Sequence, residues 1–150
     1  MRFVAKKHGG GVIWAQFTGK IGTLRRLNVE VETMSYVDGF IVAVPENKIP
    51  DYKKLSRKMG KIWREYGALA YVECEGDDVP VGKLTSFTRA VKLKPGEVVV
   101  FSWIVYNSRA HRDAVNKKVM ADPRLNKEMK SMPFDTKRMI WGGFKTIVEM

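Results

Sequence analysis

The polar side chains best suited to chemistry stand alone on predicted strands that are otherwise apolar. Asp38, Glu73 and Ser102 each interrupt a run of β-branched and aromatic residues, and Arg138 accompanies another such run. A carboxyl group in an apolar cleft has a raised pKa and can exchange a proton with a ligand. Asp38 and Glu73 are therefore candidate acid–base groups. The alternative is that each lies at a sheet edge or pairs with Arg138 or Arg89.

His111 is the third candidate catalytic residue, because the pKa of imidazole suits proton transfer near neutral pH. It lies near the start of a predicted helix, so an ordinary surface histidine is the alternative. No Ser-His-Asp or Cys-His arrangement accompanies it.

The remaining composition argues against metal and cofactor chemistry. Cys74 is the one cysteine, which excludes an internal disulfide and a multi-cysteine metal site, and we expect it to be buried in a strand. Gly142 and Gly143 follow no predicted strand-to-helix turn and lack the Gly-Lys-Ser/Thr ending of a phosphate-binding loop, so a strand bulge is their expected role. We predict no metal and no cofactor.

Hydrophobic periodicity and turn residues predict six elements in the order βαββαβ. Strands are predicted over 36–44, 69–75, 98–106 and 139–148, helices over 47–66 and 108–121, and an extra strand or extended arm over 85–93. Asn47 is the expected N-cap of the first helix, and Gly67 stands where a helix end needs positive φ. The order predicts an α+β fold of the ferredoxin-like kind.

Aromatic residues on these strands are predicted to line a pocket between sheet and helices, with a plain core role as the alternative. The candidates are Tyr36, Phe40, Tyr71, Trp103 and Trp141.

Three of the four predicted strands are apolar on both faces, whereas a half-solvated antiparallel sheet alternates apolar and polar residues. We therefore expect the second face to be covered. Pairing of two copies through that face would form a dimeric α/β barrel and remove an apolar patch from water. The expected partner is a second copy of the chain, in a homodimer.

Residues 1–33 differ in composition from the rest and are assigned as a basic leader, with the domain proper over 34–150. Either the leader is an arm, such as a hairpin that adds to a sheet edge, or it is upstream sequence read from a start codon assigned too early. The second interpretation is favoured because codons for residues 29–31 can contain a purine-rich ribosome-binding string just ahead of Met34.

The net charge of +11 favours contact with polyanions. One face of the first predicted helix is basic, and it is either a solvated face or a phosphate-binding stripe: Lys53, Lys54, Arg57, Lys58, Lys61 and Arg64. Predicted strand three lacks the glycine and basic pattern of RNA-recognition domains, so only an RNA contact at the level of the phosphate backbone stays open.

No apolar run approaches the ~20 residues of a membrane span. The N-terminus lacks the apolar region and small-residue cleavage site of a signal peptide. We predict no membrane association and a cytoplasmic location.

Six segments, in order, resemble the YbaA-like proteins, a bacterial family of unknown function. They are YVDGFIVAVP (36–45), EYGAL (65–69), VECEGDDVPVGKLTSFTRAVK (72–92), FSWIVY (101–106), KVMADPR (118–124) and MPFDTKRMIWGGF (132–144). The resemblance covers 34–150 and implies the dimeric α/β-barrel fold. It implies no activity and supplies no catalytic residues.

Three functions follow as hypotheses. The first is binding of a small organic molecule in a cleft between sheet and helices, which is how related dimeric α/β barrels use that cleft. The second is RNA association through the basic helix face. The third is a cofactor-free monooxygenase-like or isomerase-like enzyme.

Overall fold

The computed structural model describes residues 34–150 and, in the preceding part of the chain, two short strands. The chain divides into two compact units, Met1–Thr33 and Met34–Met150. In the first unit, β1 (Ala5–His8) pairs antiparallel with β2 (Val12–Ala15). Leu27, Val29 and Val31 alternate with polar residues in a pattern that predicts one more strand, but they lie outside the described residues.

The second unit is a mixed α+β structure built on a four-stranded antiparallel sheet. Its strands are β3 (Tyr36–Pro45), β4 (Ala70–Glu75), β5 (Glu97–Tyr106) and β6 (Ile140–Lys145). They lie in the order β4-β5-β3-β6, so β5 is inserted between two strands that precede it in the chain. The α+β class and the four strands are as predicted, although β6 is shorter at both ends.

The first helix, α1, runs over Ile49–Glu65, and its apolar face packs on the sheet. Asn47 was wrongly predicted as its N-cap. A 3₁₀ turn over Glu46–Lys48 leads directly into the helix, and the backbone of Lys48 is already helical, so no side chain caps it. Gly67 has a φ of 114° just after the helix, as predicted.

The second predicted helix is present as α3 (Arg109–Met120), and Ser108 caps it by accepting the backbone N–H of His111. Pro123 begins the short α4 (Pro123–Glu128), whose cap is Asp122. Two 3₁₀ turns, Met129–Ser131 and Thr136–Arg138, then lead into β6.

The segment over 85–93 is neither a strand nor an extended arm. It contains α2 (Phe87–Ala90), a single turn whose N-cap is Ser86. Val91, just after this turn, is fully buried with Ala43 and Val99. The segment thus covers one end of the sheet face that points away from α1 and α3, which we call the outer face.

The glycines of β3 and β6 do not mark bulges, because Gly39 pairs with Gly142 within an uninterrupted register. Close approach explains Gly143, where a side chain would meet the Tyr36 hydroxyl at 2.5 Å. A side chain at Gly39 would make only an ordinary contact with the Phe144 ring, at 3.4 Å.

Cys74 was predicted to be buried, but it is exposed near the end of the edge strand β4. Among the described residues, no helix is both long and apolar enough to cross a membrane.

Candidate functional site

A cavity of about 310 Å³ lies between the inner face of the sheet and the helices α1, α3 and α4. Its apolar lining includes Phe40, Val42, Leu55, Met59, Trp63, Tyr71, Ile104, Met120, Leu125, Met129, Met132, Phe134, Met139 and Trp141. Its polar lining is sparse: Asp38, Tyr52, Ser56, Glu73, Ser102, Arg112 and Asn116. An apolar cleft with a few convergent polar groups is the usual form of a small-molecule site.

The sheet register brings the predicted residues together on this inner face. Glu73 lies opposite Ser102 on β5, which lies opposite Phe40 on β3, which in turn lies opposite Trp141 on β6. Two residues further along β5, Ile104 lies opposite Tyr71 on β4 and opposite Asp38 on β3. Because residues two apart on a strand share a face, both candidate carboxylates border one cavity although β3 and β4 are not adjacent.

Asp38 is 2% exposed, and its cation partner is Arg112. The Nε of Arg112 lies 2.9 Å from Oδ1 and 2.8 Å from Oδ2 of the carboxylate. These hydrogen bonds raise the pKa of Arg112 above its usual value. Arg138 and Arg89 were wrongly proposed as partners. Arg138 binds Glu97, and Arg89 donates to the backbone carbonyls of Val81 and Gly82.

Asn116 completes this polar end of the cavity by joining the helices to the sheet. Its amide nitrogen lies 3.3 Å from Asp38 Oδ2. Its side-chain oxygen accepts from Trp63 Nε1 at 3.0 Å and from the Tyr106 hydroxyl at 3.1 Å. Asp38 is therefore held as a satisfied ion pair, and its role as an acid or base stays a prediction.

Glu73 lies at a second polar point of the cavity, beside two tyrosines. The Tyr52 hydroxyl donates to Oε2 of Glu73 at 2.7 Å. Burial, followed by the charge of Glu73, raises the pKa of both Tyr52 and Tyr71 well above its usual value. Both phenols therefore stay protonated at neutral pH and act as hydrogen-bond donors rather than as bases.

The other candidates lie in different places. Alternation along β5 places both Phe101 and Trp103 on the outer face, and their ring centroids are 5.3 Å apart. Trp103 also borders the cavity. Tyr36 covers Gly143 and is not part of the cavity lining. His111 is not part of it either, and its Nδ1 accepts the backbone N–H of Asn107 at 3.1 Å.

Sequence reasoning missed Arg112 and Asn116, which stand four residues apart and so share one face of α3. That spacing was visible, but nothing in the sequence showed that this face meets Asp38. The five methionines of the lining were not recognised as one group, because Met129, Met132 and Met139 come from 3₁₀ turns or the residues just after them.

The basic face of α1 is partly neutralised. Lys53 Nζ lies 3.1 Å from Glu75, Lys58 Nζ lies 3.0 Å from Glu128, and Lys54 Nζ lies 3.9 Å from Asp51. These pairs reduce the positive charge available to a phosphate backbone. Within residues 34–150, no group of three or more His, Cys, Asp or Glu side chains is placed to hold a metal ion.

Comparison with known proteins identifies the family of this chain. A family model described as a protein of unknown function, DUF1428, matches residues 35–136. The chain belongs to the DUF1428 family. The uncharacterized protein YbaA of Escherichia coli strain K12 is 53% identical to this DUF1428 protein over 116 residues, which are 77% of the chain and 99% of YbaA. YbaA of Shigella flexneri matches with the same values. The predicted resemblance to YbaA-like proteins is confirmed.

Two solved structures are more distantly similar to this DUF1428 protein. Rv0793 from Mycobacterium tuberculosis has a TM-score of 0.49 and 14% identity, covering 77% of this chain and 97% of its own. An uncharacterized NIPSNAP domain protein from Burkholderia xenovorans has a TM-score of 0.48 and 17% identity, covering 74% and 93%.

Proposed function

We propose that the protein binds a small organic molecule in the cavity between sheet and helices. The supporting observation is the cavity itself, which at about 310 Å³ lies at the lower end of the range of about 300–1,000 Å³ that is usual for ligand pockets. Its few polar groups cluster at two points, around Asp38 and around Glu73. Polar groups at fixed points in an apolar lining orient a ligand and select its functional groups.

The methionines of the lining suit this role. Met59, Met120, Met129, Met132 and Met139 border the cavity. Methionine is flexible and polarizable, so such a wall adjusts to ligands of different shape. A compact, largely apolar molecule is therefore the expected class of ligand.

A thermal-shift screen of compact apolar compounds tests the proposal. A ligand at about 100 times its Kd stabilises the folded protein by about 2.7 kcal/mol, which is a readily measured rise in Tm. Failure of every compound in a broad screen would contradict ligand binding.

Cavity-filling then locates the site. Ser102 is buried on the cavity floor, and Ser102→Leu adds apolar volume there. Phe101→Leu is the matched control, because Phe101 directly precedes Ser102 but lies on the outer face. We expect Ser102→Leu to abolish the thermal shift and Phe101→Leu to retain it. Equal shifts in both variants would place the ligand elsewhere.

We also propose that residues 34–150 form a ferredoxin-like domain that pairs with a second copy through the outer face. The strand order β4-β5-β3-β6, with α1 and α3 against the inner face, supports that fold. The segment after α2 covers only one end of the outer face. Phe101, Ile140 and Phe144 remain 41%, 41% and 61% exposed on it. A second copy would remove this apolar patch from water.

Light scattering after size exclusion tests the pairing. We expect the protein to run as a dimer at micromolar concentration and Phe101→Lys to convert it to a monomer. The control is Leu84→Lys, at a loop residue that is 93% exposed. A monomeric unsubstituted protein, or a dimer that survives Phe101→Lys, would contradict pairing through this face.

RNA association, a cofactor-free oxygenase or isomerase activity and the cytoplasmic location stay predictions. The ion pairs on α1 do not favour the RNA hypothesis over ligand binding.

A further inference from the structure

Three ionised side chains border the cavity, and two of them neutralise each other. The guanidinium of Arg112 donates from Nε to Asp38 and from Nη1 to Asp113, at 3.0 Å, so it binds two carboxylates. A ligand carboxylate would have to compete with both for that cation. Arg112 is therefore a poor anchor for an anionic ligand.

Glu73 is the third ionised side chain, and it is differently placed. Among residues 34–150, Glu73 forms no ion pair. A carboxylate has about four acceptor positions, and the Tyr52 hydroxyl occupies one of them. Glu73 can thus accept a further donor from a molecule in the cavity, and hydrogen bonds to an ionised acceptor are the strong ones.

The surroundings of Glu73 favour a neutral donor over a cation. An adjoining, more open cavity shares Tyr52, Ser56, Tyr71 and Glu73 with the first. Of its other charged lining residues, Lys53 and Glu75 pair with each other at 3.1 Å, whereas Arg57 and Arg64 form no ion pair among residues 34–150. An amine beside Glu73 would meet the positive potential of these side chains. A neutral hydroxyl group would not be repelled by these side chains.

On the basis of the proposed ligand-binding role, we infer that the cavity selects a compact apolar alcohol or phenol whose hydroxyl donates to Glu73. A carboxylate of the same shape is excluded, because it would bring a second negative charge to Glu73 in an apolar site. Ser102, directly opposite Glu73 in the sheet register, offers a further polar contact on the cavity floor.

Titration calorimetry with three probes of matched shape tests this selectivity on the unsubstituted protein. The probes are 2-naphthol, naphthalene and 2-naphthoate at pH 7. We expect 2-naphthol to bind about tenfold more tightly than naphthalene, as one hydrogen bond to a charged group implies. We expect 2-naphthoate to bind more weakly than both.

Glu73→Gln identifies the group responsible, because it removes the charge and retains the side-chain length. We expect the affinity for 2-naphthol to fall about tenfold and that for 2-naphthoate to rise. Glu46→Gln is the matched control, since Glu46 is exposed in the 3₁₀ turn before α1 and lines neither cavity. It should leave all three affinities unchanged.

The outcomes separate the two proposals. Binding of 2-naphthoate or naphthalene at least as tight as that of 2-naphthol overturns the selectivity and leaves ligand binding in place. An unchanged 2-naphthol affinity in Glu73→Gln also overturns the assignment to Glu73. Should no probe bind and the broad thermal-shift screen also be empty, both proposals fail. The comparison of probes on the unsubstituted protein does not depend on the folding of any variant.

Discussion

Arg112 and Asp38 form a buried ion pair in which one guanidinium nitrogen contacts both carboxylate oxygens, at 2.9 and 2.8 Å. The two residues are 74 positions apart and join α3 to the strand β3 in the middle of the sheet. Asn116, one turn further along α3, reinforces the link. The pair thus fixes the helix over the sheet and closes one end of the cavity.

Arg112→Met should destabilise the protein by about 3–5 kcal/mol, because it leaves the Asp38 carboxylate buried without its cation. Asp38→Asn combined with Arg112→Met should recover much of that loss, since no unpaired charge remains. Urea denaturation measures both values.

Arg109→Met is the control, because Arg109 on the same helix is exposed and its nitrogen lies 3.9 Å from Asp113. Loss of such a surface pair costs about 0–1 kcal/mol. Equal costs at positions 109 and 112 would show that burial of Asp38 does not matter for stability.

Gly60 lies inside α1, where alanine would ordinarily improve helix stability by about 1 kcal/mol. A side chain at this position would lie 2.8 Å from Cδ1 of the Tyr71 ring. Tyr71 packs against the core, so its ring cannot easily move away. Overpacking of that kind costs about 1–3 kcal/mol, so Gly60→Ala should lower the free energy of unfolding.

Lys61→Ala tests the propensity effect alone, because Lys61 is exposed at the next position of α1. Gly60→Ala combined with Tyr71→Leu should be less destabilised than the sum of the single changes, since the smaller side chain makes room. A Gly60→Ala variant more stable than the unsubstituted protein would contradict the close contact. Chemical denaturation of Gly60→Ala, Lys61→Ala, Tyr71→Leu and the double variant gives these values.

Glu97 at the start of β5 should make stability depend on acidic pH. Its hydrogen bonds with Arg138, at 2.6 and 2.8 Å, lower its pKa from 4.5 to about 2. The unfolded chain therefore binds this proton more readily than the folded protein does. The stabilisation is complete above about pH 4.5 and is lost as the pH falls towards 2.

Unfolding free energy measured between pH 5 and about pH 2 should fall less steeply in Glu97→Gln than in the unsubstituted protein. Asp77→Asn, which removes an exposed carboxylate from the loop after β4, controls for the loss of one negative charge. An unaltered slope in Glu97→Gln would show that Arg138 does not hold this carboxylate ionised.

Local patterns were sufficient for most of the secondary structure. β-branched runs placed β3 and β5 to within a residue, and the apolar periodicity of α1 and the predicted bounds of α3 were also reliable. The strand or extended arm predicted over 85–93 was wrong because the sequence pattern there is too short to distinguish a strand from a helical turn. The single turn that forms instead lies next to Val91, which packs on Ala43 and Val99. The bulge predicted at Gly142 and Gly143 was wrong for a related reason. At Gly143 the Tyr36 ring of the neighbouring strand β3 leaves no room for a side chain.

By itself the sequence determined the order of the elements, their apolar faces and the presence of two isolated carboxylates, because each of these depends on neighbours within one or two turns of chain. Only the tertiary structure decided what those carboxylates do. The insertion of β5 between β3 and β4 places Asp38 and Glu73 on one face, and the docking of α3 and α1 supplies Arg112 to the first and Tyr52 to the second. Such pairings depend on strand register and helix packing across long stretches of chain, which no local pattern encodes.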